Sequence, residues 1–214
     1  MDPMTRKETL LARIRAALGG HAAAGARGNI PETVLPDRGE RVALFRERFE
    51  GTGGSFLEGP SQEVVLPVLG ETLRMAGVAA LIFPEEDDPA VRLGEALVPL
   101  GPFRIVSPEE LRRPDSPVTA GIQTAEFAIG ETGTIVQTSR GGKTLLPGLL
   151  TDFHVALVSS GIVCAGMEEC LRTLSADPPR NISLITGPSR TADIELTLTI
   201  GVHGPRGVIA VLLP

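Results

Sequence analysis

The side chains best able to do chemistry gather in three short stretches of the C-terminal half. Thr186-Gly-Pro-Ser-Arg-Thr-Ala-Asp-Ile-Glu195 carries a serine, an arginine, a further threonine and two acids directly after an apolar run. A strand leading through Gly187 into a turn points backbone N–H groups outward, which suits an anion. Ser189 or Thr191 would cap that turn, and Arg190 would clamp the anion with two parallel hydrogen bonds. The same residues also read as plain surface structure, with Arg190 paired to Asp193 or Glu195. Ala128-Ile-Gly-Glu-Thr-Gly-Thr134 sets a carboxylate and a hydroxyl, Glu131 and Thr132, between Gly130 and Gly133. Glycines there permit positive φ or close backbone approach. Glu131 is then a base, a nucleophile or an acceptor, or simply a surface residue of a glycine turn. The third stretch is Gly201-Val-His-Gly-Pro205. Its His203, beside Gly204, is either a structural hydrogen-bonder or a proton acceptor.

Several other chemistries lack their residues. The Gly-x4-Gly-Lys phosphate loop, the Gly-x-Gly-x-x-Gly fingerprint and the Gly-x-Ser-x-Gly elbow are all missing. A triad of Ser189, His203 and Asp193 would stand without that elbow. His21, His154 and His203 are the only histidines and no cysteines cluster, so no zinc or iron site of three protein ligands is expected. Net charge is −6, Lys7 and Lys143 are the only lysines, and there is no Trp or Tyr. A nucleic-acid partner needs a basic stripe, often with aromatic platforms, so none is expected. Cys164 and Cys170 would face different ways on a helix, which argues against a local disulfide and for a reducing compartment. No apolar signal segment opens the sequence and no uncharged apolar stretch approaches a membrane span, so a cytoplasmic protein is expected.

The elements that would position these stretches are legible in part. Leu10, Leu11, Ile14, Ala17 and Leu18 recur at helical spacing from Thr5 to Leu18, with Gly19-Gly20 as the stop. An Ala/Gly/Pro-rich segment without period follows, so residues 1–36 read as a helical arm and linker and 37–214 as one α/β domain. Helices are expected over 39–50 and from Ser61 to Met75, where Pro67 should kink the helix or mark a later start. Val78–Phe83 and Phe103–Val106 are buried strands around a short helix from Pro89 to Leu97, a βαβ unit, and Pro84–Asp88 reads as a solvated turn. Further on, strands are expected at Val118–Ile122, Thr134–Thr138, His154–Ser159 and Ile182–Thr186. Thr124–Ile129 reads as a helical turn, Ser139–Gly142 as a tight turn and Ala165–Leu174 as a helix. Leu196–Ile200 and Val208–Leu213 alternate at period two, as for an antiparallel hairpin at the sheet edge; a helix over Ala192–Ile200 is the competing reading. With seven Phe as the only aromatics, the core should be aliphatic. The architecture is a mostly parallel sheet with helices on both faces and a mixed edge.

Taken together, Glu131-Thr-Gly-Thr134, Thr186-Gly-Pro-Ser-Arg-Thr-Ala-Asp-Ile-Glu195 and Gly201-Val-His-Gly-Pro205 resemble the signature of the LUD-domain (lactate utilization) family. Thr5-Arg-Lys-Glu and Leu11-Ala-Arg-Ile-Arg-Ala-Ala-Leu18 also resemble the start of a family member, so the likeness runs over essentially the whole chain. It implies a fold of the NagB/RpiA/CoA-transferase type and a part in oxidising L-lactate to pyruvate beside two partner proteins that carry iron–sulfur clusters. This chain has no Cys-x2-Cys-x2-Cys run. It would bind no cofactor itself and serve as the redox-silent subunit, taking up a small carboxylate or docking its partners. Two other functions compete. One is a stand-alone enzyme acting on a phosphorylated or CoA-linked metabolite, with Glu131 as base or nucleophile. The other is an assembly factor whose motifs only pack.

Overall fold

A computed structural model describes residues 8–13, 16, 36–113, 115–192, 198–200 and 204–213. The chain divides into two units, residues 1–35 and Pro36–Pro214. In the first, residues 8–13 are helical, inside the stretch whose apolar spacing predicts a helix.

The second unit opens with helix α1 (Arg38–Gly51). Asp37 accepts from the Glu40 N–H while the Glu40 carboxylate reaches back to the Asp37 N–H, which satisfies two donors that a helix start leaves open. There follow β1 (Ser55–Glu58), α2 (Gln62–Met75), β2 (Ala80–Ile82), α3 (Asp88–Leu97), β3 (Arg104–Ile105) and β4 (Thr119–Thr124). The rest comprises β5 (Phe127–Ile129), β6 (Thr134–Thr138), α4 (Leu146–Leu149), β7 (Phe153–Ser159), β8 (Val163–Cys164), α5 (Met167–Ala176), β9 (Ile182–Ile185), β10 (Arg190–Ala192), β11 (Leu198–Ile200) and β12 (Gly207–Leu213). Six strands form a wholly parallel sheet in the order β1-β12-β7-β4-β2-β3. A second sheet has the order β8-β5-β6-β9 and is mixed, and β10 and β11 form an antiparallel hairpin.

Alternation along the central strands decides the layers. Ala120, Ile122, Val155, Leu157, Ile209 and Val211 pack against Leu69 and Leu73 of α2 and Leu93 and Leu97 of α3. Ala156, Val158, Val208 and Ala210 point the other way, onto Phe45 and Phe49 of α1 and onto Ala128, Ile135 and Ile185 of the second sheet. The outer face of that second sheet is covered by Cys170 and Leu174 of α5. Helices therefore flank both faces of a mostly parallel sheet, as the sequence predicts. The first core is aliphatic apart from Phe103. The second is not: Phe45, Phe49 and Phe56 gather under α1, with Phe45 and Phe49 stacked at 5.4 Å.

Several sequence expectations are corrected. β12 does not pair with β11 in a hairpin. It lies between β1 and β7, parallel to both, because Val208-Ile-Ala-Val-Leu212 is apolar on both faces and fills the centre of a sheet. The antiparallel hairpin near the C-terminus joins β10 to β11 instead, and Leu198–Ile200 is strand rather than helix. Phe127–Ile129 is a strand and not a helical turn, since Ala128 faces one core and Ile129 the other. Asp87, expected in a solvated turn, is 1% exposed and caps α3. Cys164 sits on β8 rather than on a helix and packs in the same core cluster as Cys170; both are free and buried. Pro67 lies inside α2 and does not mark a later start, since the helix begins at Gln62; both it and Glu63, whose carbonyl loses a partner, are exposed.

Candidate functional site

Two of the three chemically rich stretches leave neighbouring strand ends. β6 begins beside the end of β9, with Ile135 opposite Ile185. A chain of hydroxyls joins the loops there: Thr132 Oγ1 lies 2.7 Å from Thr134 Oγ1, which lies 2.8 Å from Thr186 Oγ1. Thr134 is buried and Thr186 exposed, so the chain of bonds runs from the core to the surface.

The last turn of α1 wedges into this junction, and two glycines make room for it. Gly133 has φ 64°, and a Cβ there would lie 2.3 Å from the Phe49 nitrogen. Gly187 has φ 79°, and a Cβ there would lie 2.6 Å from Thr52 Oγ1. Both therefore need glycine twice over, for left-handed backbone and for space. Arg190 Nη2 donates to the Thr52 carbonyl at 2.6 Å. That places a cation at the carboxyl end of a helix, where the backbone dipole favours positive charge. Arg190 is exposed, and this bond uses one edge of a five-donor fork.

The remaining predicted residues are placed as follows. The Ser189 N–H donates to the Pro205 carbonyl at 2.7 Å, and Gly204 packs against the Ser189 side chain, so these two belong together. Thr191 lies in β10 opposite Thr199. Glu131 is exposed and its Oε2 accepts from the Met167 N–H at 3.4 Å. Its carboxylate thus stands over the start of α5, where the cap position is Gly166 and offers no side chain. Glu131 and Arg190 consequently serve two different helix ends. Asp193, Glu195 and His203 lie outside the described residues.

A second polar centre sits at the carboxyl ends of β2 and β4, where strand order reverses and open α/β sheets hold their ligands. Asp87 accepts from the Thr124 N–H at 2.8 Å, the Thr124 hydroxyl at 2.6 Å and the Ala90 N–H at 3.4 Å. Lys143 Nζ stands 3.7 Å from Asp87 Oδ2. Behind it, between the sheets, lie Gln123, Gln137 and His154, each buried. Gln123 Nε2 donates to the Thr144 carbonyl at 2.8 Å. Gln123 Oε1, Gln137 Nε2 and both His154 nitrogens have no hydrogen-bond partner among the described residues. Burial pushes the His154 imidazole down to about 4, so it is neutral near pH 7. Sequence reasoning misses this centre; Asp87 before Asp88-Pro89, a cap followed by Pro, is the available signal. Among the described residues, no three His, Cys, Asp or Glu side chains are grouped as a metal site would require, and no helix is long and apolar enough to cross a membrane.

Comparison with known proteins bears on the identity of this arrangement. A Deinococcus radiodurans protein named lactate utilization protein C is 30% identical over 190 residues, 84% of this chain and 85% of that one. Proteins of the same name from Exiguobacterium sp. and Halalkalibacterium halodurans are 37% identical over 99 residues and 35% identical over 91. These two matches span less than half of either relative, 43% and 40% of their lengths. The crystal structure of a duf162 family protein from Deinococcus radiodurans superposes with a TM-score of 0.58 at 20% identity, covering 84% of this chain and 99% of that one, and so shares the fold. The LUD domain family itself matches residues 43–213. That span runs from within α1 to the end of β12 and takes in both polar centres, so the chain belongs to the LUD domain family.

Proposed function

We propose that this chain works in lactate utilization, as the subunit without an iron–sulfur cluster in a system that oxidises L-lactate to pyruvate. The observation that carries the reading is the similarity to a protein named for lactate utilization along 84% of this chain. Oxidation of lactate to pyruvate releases two electrons and two protons, and the electrons need a carrier. Cys164 and Cys170 do not suit that task. An iron–sulfur cluster is held by four Cys thiolates, and the sequence has only these two. The clusters therefore belong to partner proteins.

The strand-tip surface is where those partners dock. Glu131, Thr186 and Arg190 are exposed there, and Thr191, Asp193, Glu195 and His203 flank them in sequence. Purifying the tagged protein from cells grown on L-lactate tests the reading. Cluster-bearing proteins should accompany the wild-type chain and be lost with Arg190→Glu; a colourless, partner-free preparation under both conditions would count against it.

A further inference from the structure

We infer that two copies of this chain pair through β9, an outer strand of the second sheet, in antiparallel register about a two-fold axis at Ser183. Ile185 of β9 turns inward to the core between the sheets, and by alternation Ser183 does too. Ile182 and Leu184 face outward and are 42% and 48% exposed. The backbone of these two residues is open as well. The Ser139 N–H donates to the Asn181 carbonyl, so the bonded pairs between β6 and β9 are Ser139–Asn181, Gln137–Ser183 and Ile135–Ile185. The N–H and C=O groups of Ile182 and Leu184 therefore point away from β6, and they have no partner among the described residues.

Proteins blunt such edges with charge, proline or cover, because an open apolar edge is a template for another strand. The other edges of the two larger sheets follow that rule. β1 carries Glu58, β3 carries Arg104, and Val163 of β8 lies in one core cluster with Phe45 and Phe49 of α1. β9 is left bare. Residues 181–189 carry no charge, and their proline, Pro188, comes after the strand. The neighbouring surface is also neutral: Thr144, Leu145 and Leu149 line a cavity of about 490 Å³ together with Ile182 and Ser183, and residues 144–151 hold no charged side chain.

Open backbone groups call for an extended strand, and charge selects a second copy as its source. A two-fold contact presents a patch to itself, so a charged edge would repel its own copy. On a chain of net charge −6, this neutral edge pairs with itself without that cost. With the axis at Ser183, Ile182 stands opposite the partner's Leu184 and Leu184 opposite the partner's Ile182. Each of these pairs exchanges both N–H···O bonds, which satisfies every open group of Ile182 and Leu184 on both strands. Their exposed side chains then stand side by side on one face of a sheet continuous across both copies. Arg180, the charge nearest to β9 in sequence, falls opposite the partner's Thr186 and meets no like charge. A single short strand makes a contact well under the roughly 800 Å² per partner of a stable complex, so the dimer dissociates in the micromolar range.

Sedimentation equilibrium of the full chain tests this, with the mass rising from one chain toward two between about 1 μM and about 1 mM. Leu184→Pro removes an outward N–H and no bond to β6, and Leu184→Lys sets a charge on the open edge. Each should weaken association at least about 10-fold, with an unchanged circular dichroism spectrum showing that the variant is folded. Ile105→Lys, on the β3 edge, should leave association as it is. Ser183→Cys should give a disulfide-linked dimer with a mild oxidant and Leu184→Cys should not, because only the residue on the axis meets its own copy; Cys164 and Cys170 are buried. A monomer across the whole range, a dimer indifferent to both Leu184 variants, or a dimer that Ser183→Cys fails to cross-link would overturn the pairing. Slow amide exchange at Ile182 and Leu184 in a chain that stays monomeric would assign the edge to another occupant and overturn it equally.

Discussion

Acidification should destabilise the fold through His154, a residue wholly buried on β7. Its imidazole lies close to α4, where a Cβ on Gly148 would be 3.4 Å from Nε2. Burial lowers its folded value from 6.5 to about 4. The unfolded chain therefore binds a proton near pH 6.5 that the native state refuses until about pH 4. Stability from this group is complete above the higher value, falls as pH drops through the window, and is flat below the lower one. Each tenfold difference in proton affinity between the folded and unfolded chain corresponds to about 1.4 kcal/mol, so the fall between pH 7 and pH 4.5 should be about 2.5 kcal/mol. Urea unfolding followed by circular dichroism at several pH values would measure it, with His154→Leu as a reference that cannot titrate there. The difference between the two proteins removes the carboxylates common to both, and a constant cost of the substitution does not alter the slope. Parallel stability curves for the two proteins would refute the reasoning.

Other outcomes follow from the strand-tip junction and the thiols. Gly133→Ala combines a left-handed backbone with a Cβ 2.3 Å from the Phe49 nitrogen, and should lower unfolding free energy by more than about 2 kcal/mol. Thr134→Val keeps the shape and breaks both hydroxyl bonds; a loss of about 1 kcal/mol is expected in the same urea assay, and an unchanged midpoint would deny the chain any energetic weight. Native Cys164 and Cys170 should resist a thiol reagent at pH 8, because burial holds both thiols protonated, and should react at once in denaturant.

How much of this is legible depends on what each residue must do. The βαβ unit, the helices over 38–51 and 62–75 and the central strands announce themselves through apolar period alone. The partners of β12 do not. Val208–Leu213 is apolar at every position, which fits burial on both faces, but which strands flank it is fixed only by the pairing with β1 and β7. Short strands such as β5 and β8 carry too few residues to show a period. The glycines of the strand-tip stretches are recognisable as sites of close approach, but that the intruder is the last turn of α1 is a tertiary fact. Asp87 misleads for a related reason: an acid in Pro84-Glu-Glu-Asp-Asp88 looks solvated until Thr124 and Lys143 arrive from residues far along the chain. Buried amides such as Gln123 and Gln137 leave no local signature, since their meaning lies in what is absent around them.

The most direct test of the proposed role is growth on L-lactate as sole carbon source after deletion of the gene. Loss of growth, restored by the wild-type chain, is the expected result. Undiminished growth of the deletion strain would contradict it.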